Sequence, residues 1–226
     1  VDTRTEEQKK RAHSLESELS ALTLACMVVD LEGRVVVDPL TGILSRRSLM
    51  ECASVLFARS LKCDADDRRK KNTQSLSVLF IDIDHLKLVN NGHGRAAGDT
   101  VLQGVARALK QGIRKDDIVA RYGGEEFAIL MPDTKEAVAV ERAKDLLGQI
   151  RGLSLFPGQL NLSVTASIGV ATSEQFSSFG ELCDAADGAL YYAKNHGRDQ
   201  VACRGITRER RRWIATDVRH REERRK

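Results

Sequence analysis

Arg121-Tyr122-Gly123-Gly124-Glu125-Glu126-Phe127 sits between two apolar stretches, Ile118-Val119-Ala120 before it and Phe127-Ala128-Ile129-Leu130 after it. Apolar runs flanking a glycine pair predict a β-hairpin with Gly123-Gly124 as its two-residue turn. Glycine at such a corner is expected to take φ > 0 and to let a bulky phosphate or ribose approach. The two glutamates add hard oxygen ligands for a divalent cation. Taken alone, a glycine pair followed by acids is more often just a solvated hairpin.

A second acidic cluster lies upstream. Val78-Leu79-Phe80-Ile81 predicts a buried strand ending in Asp82-Ile83-Asp84, and period two places Asp82 and Asp84 on one face at its end. The plain reading has one carboxylate capping the following helix and the other solvated, and for Asp84 by itself that reading is preferred. If the hairpin packs beside this strand, Asp82 meets Glu125 and Glu126. Such a cluster is best stabilised by a bound cation.

Five segments, taken in order, resemble one family. They are Asp38-Pro39-Leu40-Thr41-Gly42 with Arg46-Arg47; Asp82-Ile83-Asp84-His85-Leu86-Lys87; Asn90 through Gly98-Asp99; the hairpin; and Ala186-Asp187-Gly188-Ala189-Leu190-Tyr191 with Ala193-Lys194 and Gly197-Arg198. From about Asp38 to Val201 the chain resembles the GGDEF-family diguanylate cyclases in the Gly-Gly-Glu-Glu-Phe variant. The resemblance implies an α/β (α+β) palm-like nucleotide-cyclase fold, with a central, largely antiparallel mixed sheet surrounded by helices. It also implies condensation of two GTP into cyclic di-GMP at a homodimer interface, dependent on Mg²⁺ with Mn²⁺ as a substitute.

In that comparison the metal ligands are Asp82, the Ile83 carbonyl and Glu125, and the catalytic residues are Glu125, Glu126 and Lys87, with either glutamate open as the base and Glu126 alternatively assisting metal binding. His85-Leu86-Lys87 at a helix start, with Gly123 and Gly124, would receive the triphosphate, and Lys87 adds a point charge. Lys194 and Arg198 match phosphate contacts; each also reads as a surface cation at a helix C-terminus. Asn90 and Asp99 match the guanine readers. Arg114-Lys115-Asp116-Asp117 fits an Arg-x-x-Asp product-inhibition site, in which Arg114 clamps a phosphate and Asp117 bonds the base edge. Ser45, Leu86, Asn91 and Arg95 depart from the family's Asn, Phe, Asp and His, and His93 offers partial compensation in the same loop. A non-catalytic receptor for GTP or cyclic di-GMP is the competing reading, and the intact Asp82, Glu125 and Glu126 count against it.

The 226 residues are 42% hydrophobic, enough for one substantial core plus extensions. Net charge is +4, from 36 Lys+Arg against 32 Asp+Glu, with the excess concentrated after Gly205. Five scattered cysteines without a Cys-x-x-Cys pair argue against a disulfide framework or a zinc site and favour a reducing, cytoplasmic setting. No apolar run approaches the ~18 residues of a membrane span.

Four regions follow. Residues 1–26 read as a helix with Leu15, Leu19, Leu22 and Cys26 on a short heptad seam, either a dimerising stalk or an amphipathic helix packed on its own domain. Residues 27–37 read as a small hairpin, residues 38–203 as the cyclase domain, and residues 204–226 as a basic tail with Trp213. A solvated tail is preferred over one touching nucleic acid or acidic lipid. The chain reads as a fragment of a longer protein carrying an upstream sensor.

Overall fold

A computed structural model of the chain describes residues 37–61, 75–156, 162–204 and 213–215. The helix expected over 1–26, nearly all of the hairpin expected over 27–37 and most of the basic tail lie outside them.

The elements in chain order are β1 (Leu44–Ser45), α1 (Arg46–Leu61), β2 (Ser77–Ile83), α2 (Leu86–His93), α3 (Arg95–Gly112), β3 (Ile118–Arg121) and β4 (Glu126–Met131). They continue with α4 (Glu136–Arg151), β5 (Ala166–Thr172), a 3₁₀ turn Ser173–Gln175, α5 (Phe179–Asn195), β6 (Val201–Arg204) and β7 (Trp213–Ala215). The strands form one seven-stranded sheet in the order β1-β3-β4-β2-β5-β6-β7. Only β1 with β3 and β5 with β6 run parallel; the other pairs are antiparallel. The expected largely antiparallel mixed sheet is therefore the one observed.

Period two splits β2 between two cores. Leu79, Ile81 and Ile83 join Phe127, Ile129, Ile168 and Val170 against α3 and α4. Val78 and Phe80 join Ala128 and Leu130 against α1 and α5. With both faces covered by helices, β2 reads as a continuous apolar run rather than an alternating one. At about 25 cal/mol per Å² of apolar surface removed from water, this double burial dominates the stabilisation of the sheet's centre.

Two features set where α5 lies. Ser178 caps it, accepting from Glu181 N at 3.2 Å. Gly169 in β5 lets the helix backbone come close: a Cβ there would lie 2.1 Å from Ala186 O and 2.2 Å from Leu190 N. The helix is thereby pressed onto the sheet along its small residues Ala185, Ala186 and Ala189.

Pairing and backbone geometry set several boundaries. Strand β5 starts at Ala166, because its pairing partner β2 spans Ser77–Ile83 and the ladder ends with Ile83 opposite Ala166. Helix α3 begins at Arg95, directly after Gly94, whose φ of 83° breaks it from α2. Trp213–Ala215, read as part of a solvated tail, pairs antiparallel with β6 and extends the sheet.

Candidate active site

The site lies where β2, the β3–β4 loop, α2 and the end of α5 meet. Asp82 shares the β2 face of Val78 and Phe80, toward α5, and is only 4% exposed. The last turn of α5 brings Lys194 Nζ to 2.7 Å from Asp82 Oδ2. Across the sheet Asp82 pairs in register with Glu126, and Ile83 N donates to Glu125 O at 3.2 Å, which fixes both glutamates beside the strand end. Burial pushes the Asp82 carboxyl up, Lys194 pulls it back, and Glu125 and Glu126 push it up again, leaving it at about 6.

An open cleft of about 520 Å³ here is lined by Asp82, Leu86, Asn90, Leu102, Arg121, Gly124, Glu125, Glu126 and Lys194. That volume suits a nucleotide-sized ligand. Among the described residues no three His, Cys, Asp or Glu side chains form a ready-made metal cage. Mg²⁺ does not require one, since it keeps several waters and takes one or two carboxylates plus substrate phosphate. The donor set fits such an ion: Asp82 offers hard, buried oxygen that already holds a cationic group, and Glu125 and Glu126 add negative charge.

The hairpin differs from the expected two-residue turn. Strand residues stop at Arg121 and resume at Glu126, and Glu126 O accepts from both Tyr122 N (2.8 Å) and Gly123 N (3.1 Å). The connection is Tyr122–Glu125, and neither Gly123 nor Gly124 has positive φ. The glycines serve close approach instead. A Cβ on Gly123 would meet Glu126 Oε2 at 2.5 Å, whereas one on Gly124 would meet open space.

Arg121 and Asp38 shape this loop, a pairing the sequence reading did not foresee. Arg121 Nε donates to Gly123 O (3.2 Å) and Gly124 O (3.1 Å), and Nη2 donates to Gly124 O at 2.7 Å. Its Nη1 contacts both carboxylate oxygens of Asp38 at 3.1 and 3.2 Å. Burial raises the Asp38 carboxyl, but hydrogen bonds from Thr41 and Arg121 outweigh it and hold the group below its ordinary value. The hint was an arginine directly before the loop and an aspartate opening the first motif, 83 positions apart.

Asp84 neither caps α2 nor stays solvated. Its oxygens accept from Thr165 Oγ1 (2.8 Å), Ser167 Oγ (2.8 Å) and Asp199 N (3.0 Å). His85 stands at the N-cap of α2 with φ of 60° and makes no side-chain cap bond. Leu86 is buried beneath the cleft, while His85 and Lys87 are exposed. Asn90 packs against α3 where Gly98 leaves room, since a Cβ there would fall on the Asn90 side chain. That packing brings Asp99, exposed on the next residue, to the same α2–α3 junction. Arg198 is exposed just past α5, with its N bonded to Ala193 O at 3.0 Å.

Arg114 and Asp117 form a tight turn away from the cleft. Arg114 N donates to Asp117 Oδ2 at 2.9 Å and Asp117 N to Arg114 O at 3.1 Å. Burial raises the Asp117 carboxyl; the Arg114 backbone bond and the charges of Arg114 and Arg142 oppose it. Of the departures, Ser45 Oγ lies 3.0 Å from Ser48 Oγ at the start of α1, and Asn91 and Arg95 are exposed, as is His93 in the same loop.

A palm-like sheet whose central strand delivers a buried carboxylate into an acidic, nucleotide-sized cleft defines a nucleotide-handling α/β domain. The family model for the diguanylate cyclase GGDEF domain matches residues 35–200, and the chain belongs to that family. It is 32% identical over 206 residues to diguanylate cyclase DgcP of Pseudomonas aeruginosa, covering 89% of this chain and 28% of that protein. It is 35% identical over 162 residues to diguanylate cyclase A of Treponema denticola, covering 71% and 43%. The chain thus spans less than half the length of these curated relatives.

Among solved structures, it is similar to the diguanylate cyclase SiaD of Pseudomonas aeruginosa in complex with its activator SiaC, with a TM-score of 0.68 and 32% identity, covering 88% of this chain and 71% of that one. The GGDEF domain of DgcB from Caulobacter crescentus in complex with c-di-GMP aligns with a TM-score of 0.65 and 26% identity, covering 74% and 95%. No helix among the described residues is long and apolar enough to cross a membrane.

Proposed function

We propose that this chain condenses two GTP molecules into cyclic di-GMP, releasing two pyrophosphates. The observation that carries the reading is the buried Asp82 carboxylate facing Glu125 and Glu126 at the mouth of the cleft. A carboxylate kept in so unfavourable a setting is a mark of function. Magnesium, held by the Asp82 carboxylate, the Ile83 carbonyl and Glu125, would neutralise triphosphate charge and acidify the attacking hydroxyl, with manganese as a substitute.

The chain's own groups do the rest. Asn90 and Asp99 bind the guanine edge, and an acceptor carboxylate selects GTP over ATP because it would be left unpaired against adenine. The start of α2 at His85, Leu86 and Lys87, the glycine backbone of Gly123 and Gly124, and the cations Lys194 and Arg198 hold the triphosphate in line. Glu126 and Glu125 are the carboxylates in reach of the 3′-hydroxyl proton. The new bond joins each 3′-oxygen to the other nucleotide's α-phosphorus as pyrophosphate leaves. Since one cleft holds one GTP, two subunits must face each other, and an upstream sensor would set their approach in the cytoplasm. Arg114 and Asp117 would bind product and limit turnover.

Incubation of the chain with GTP and Mg²⁺, followed by chromatography, tests the reading. Cyclic di-GMP and pyrophosphate in a 1:2 ratio are expected, with specific activity rising with protein concentration. GTP left intact by folded, magnesium-supplied protein at high concentration would overturn it.

A further inference from the structure

The corner after α5 is an unusual piece of backbone. Gly197 has φ of 118°, and the next two residues, Arg198 and Asp199, both sit in the left-handed region at 57° and 49°. Consecutive non-glycine residues there are strained, and such strain persists only where the surroundings over-determine it. Three restraints converge on this corner. Arg198 N donates to Ala193 O at 3.0 Å, and Asp199 N donates to Asp84 Oδ2 at 3.0 Å. The third comes from another helix: at the end of α4, Arg151 Nε donates to Asp199 Oδ1 at 2.7 Å and Nη2 donates to Asp199 O at 2.8 Å.

The Arg151 contact is a fork with one prong on the side chain and one on the backbone, so it fixes the orientation of the Asp199 peptide. A lysine cannot reproduce that geometry. Both partners are largely shielded, with side-chain exposures of 24% and 11%. The same Asp199 is tied through Asp84 to the strand that carries Asp82 two residues earlier. The clamp therefore joins α4, the metal-side strand end and the backbone that carries Arg198. Neither Arg151 nor Asp199 lines the cleft.

We propose that Arg151 is a positioning residue for triphosphate binding, acting through Asp199 to hold Arg198 in its left-handed conformation. The proposal rests on the reading of Arg198 as a phosphate contact. Loss of the clamp frees the corner to relax and withdraws the Arg198 guanidinium from the phosphates, while the guanine readers on α2 and α3 stay in place.

The test is a double-mutant cycle on binding, which needs no turnover. Calorimetry measures the affinity of wild type, Arg151→Met, Arg198→Ala and the double variant for the α,β-methylene analogue of GTP with Mg²⁺, and guanosine binding is followed by nuclear magnetic resonance. Arg151→Met should weaken the analogue about tenfold, with guanosine unchanged, and should add nothing in the Arg198→Ala background. Arg151→Lys should recover only part of the loss. Wild-type affinity in Arg198→Ala would sink the phosphate reading of Arg198 itself. With Arg198→Ala weakened, three results would overturn the role of Arg151 alone: unchanged analogue affinity in Arg151→Met, equal losses for analogue and guanosine, or additive losses in the double variant.

Discussion

At the Ser77 end of β2, Ser77 Oγ donates to Thr134 O at 2.7 Å and lies 2.8 Å from Thr172 Oγ1, and Leu76 N donates to Ser173 Oγ at 2.9 Å. Toward the other end of the same strand, the buried Asp82 carboxylate faces two more carboxylates and one ammonium. The first end is mutually hydrogen-bonded, and the carboxylate bonded there, Glu174, accepts from Ser75 Oγ at 2.7 Å. The second is charged and opens into a cleft. Uncompensated charge at a cleft, more than polarity as such, separates chemistry from scaffolding here. Asp84 sharpens the contrast, since it lies two residues beyond Asp82 and is fully occupied with Thr165, Ser167 and Asp199.

The largest expected effect lies at the charged end. Glu125→Gln should lower cyclic di-GMP formation by at least about a hundredfold while leaving the melting temperature near that of wild type. Full turnover in that variant would remove Glu125 from the site. A structural change on β5 should act in the opposite way. Gly169→Ala forces its Cβ into the α5 backbone and should cost about 1–3 kcal/mol of stability in denaturant titration. An unchanged midpoint would mean that α5 is not held by that close approach.

The smallest effect is a pH dependence. The Asp82 carboxyl is raised from 3.8 to about 6, so the fold favours its protonated form. Its contribution to the stability of the metal-free protein is complete below the unfolded value and is lost as pH rises through about 6. Compared with Asp82→Asn, metal-free wild type should therefore lose melting temperature between about pH 4 and 6. The gain in melting temperature on adding Mg²⁺ should grow over the same window, because the ion needs the carboxylate. Parallel pH profiles for the two proteins would contradict this assignment.

Much of this was legible in the residues. The apolar runs around Gly123-Gly124 and before Asp82 mark strands buried on both faces, and Leu182, Ala185, Ala186, Ala189 and Leu190 mark the inner face of α5. The short strands β1, β6 and β7 carry too few residues for a period and exist through pairing with distant partners. The Gly123-Gly124 corner misled because glycine signals both positive φ and close approach, and only the second applies here. The Arg121–Asp38 and Arg151–Asp199 pairs, and the role of Asp84, join residues 48 to 115 positions apart. No local pattern encodes such contacts.

The most direct measurement sets Asp82, inside β2, against Asp84, one residue past its end. Asp82→Asn and Asp84→Asn are purified side by side, and each is assayed for melting temperature and for cyclic di-GMP formed from GTP and Mg²⁺. Asp82→Asn should make no product yet melt at or above the wild-type temperature, because it removes a charge that burial and two glutamates disfavour. Asp84→Asn should melt several degrees lower, because Thr165, Ser167 and Asp199 share a charged acceptor that an amide replaces only in part, at about 1–3 kcal/mol for each bond left unmade. Product at the wild-type rate from Asp82→Asn, or a larger drop in melting temperature for Asp82→Asn than for Asp84→Asn, would contradict the division of labour along this strand.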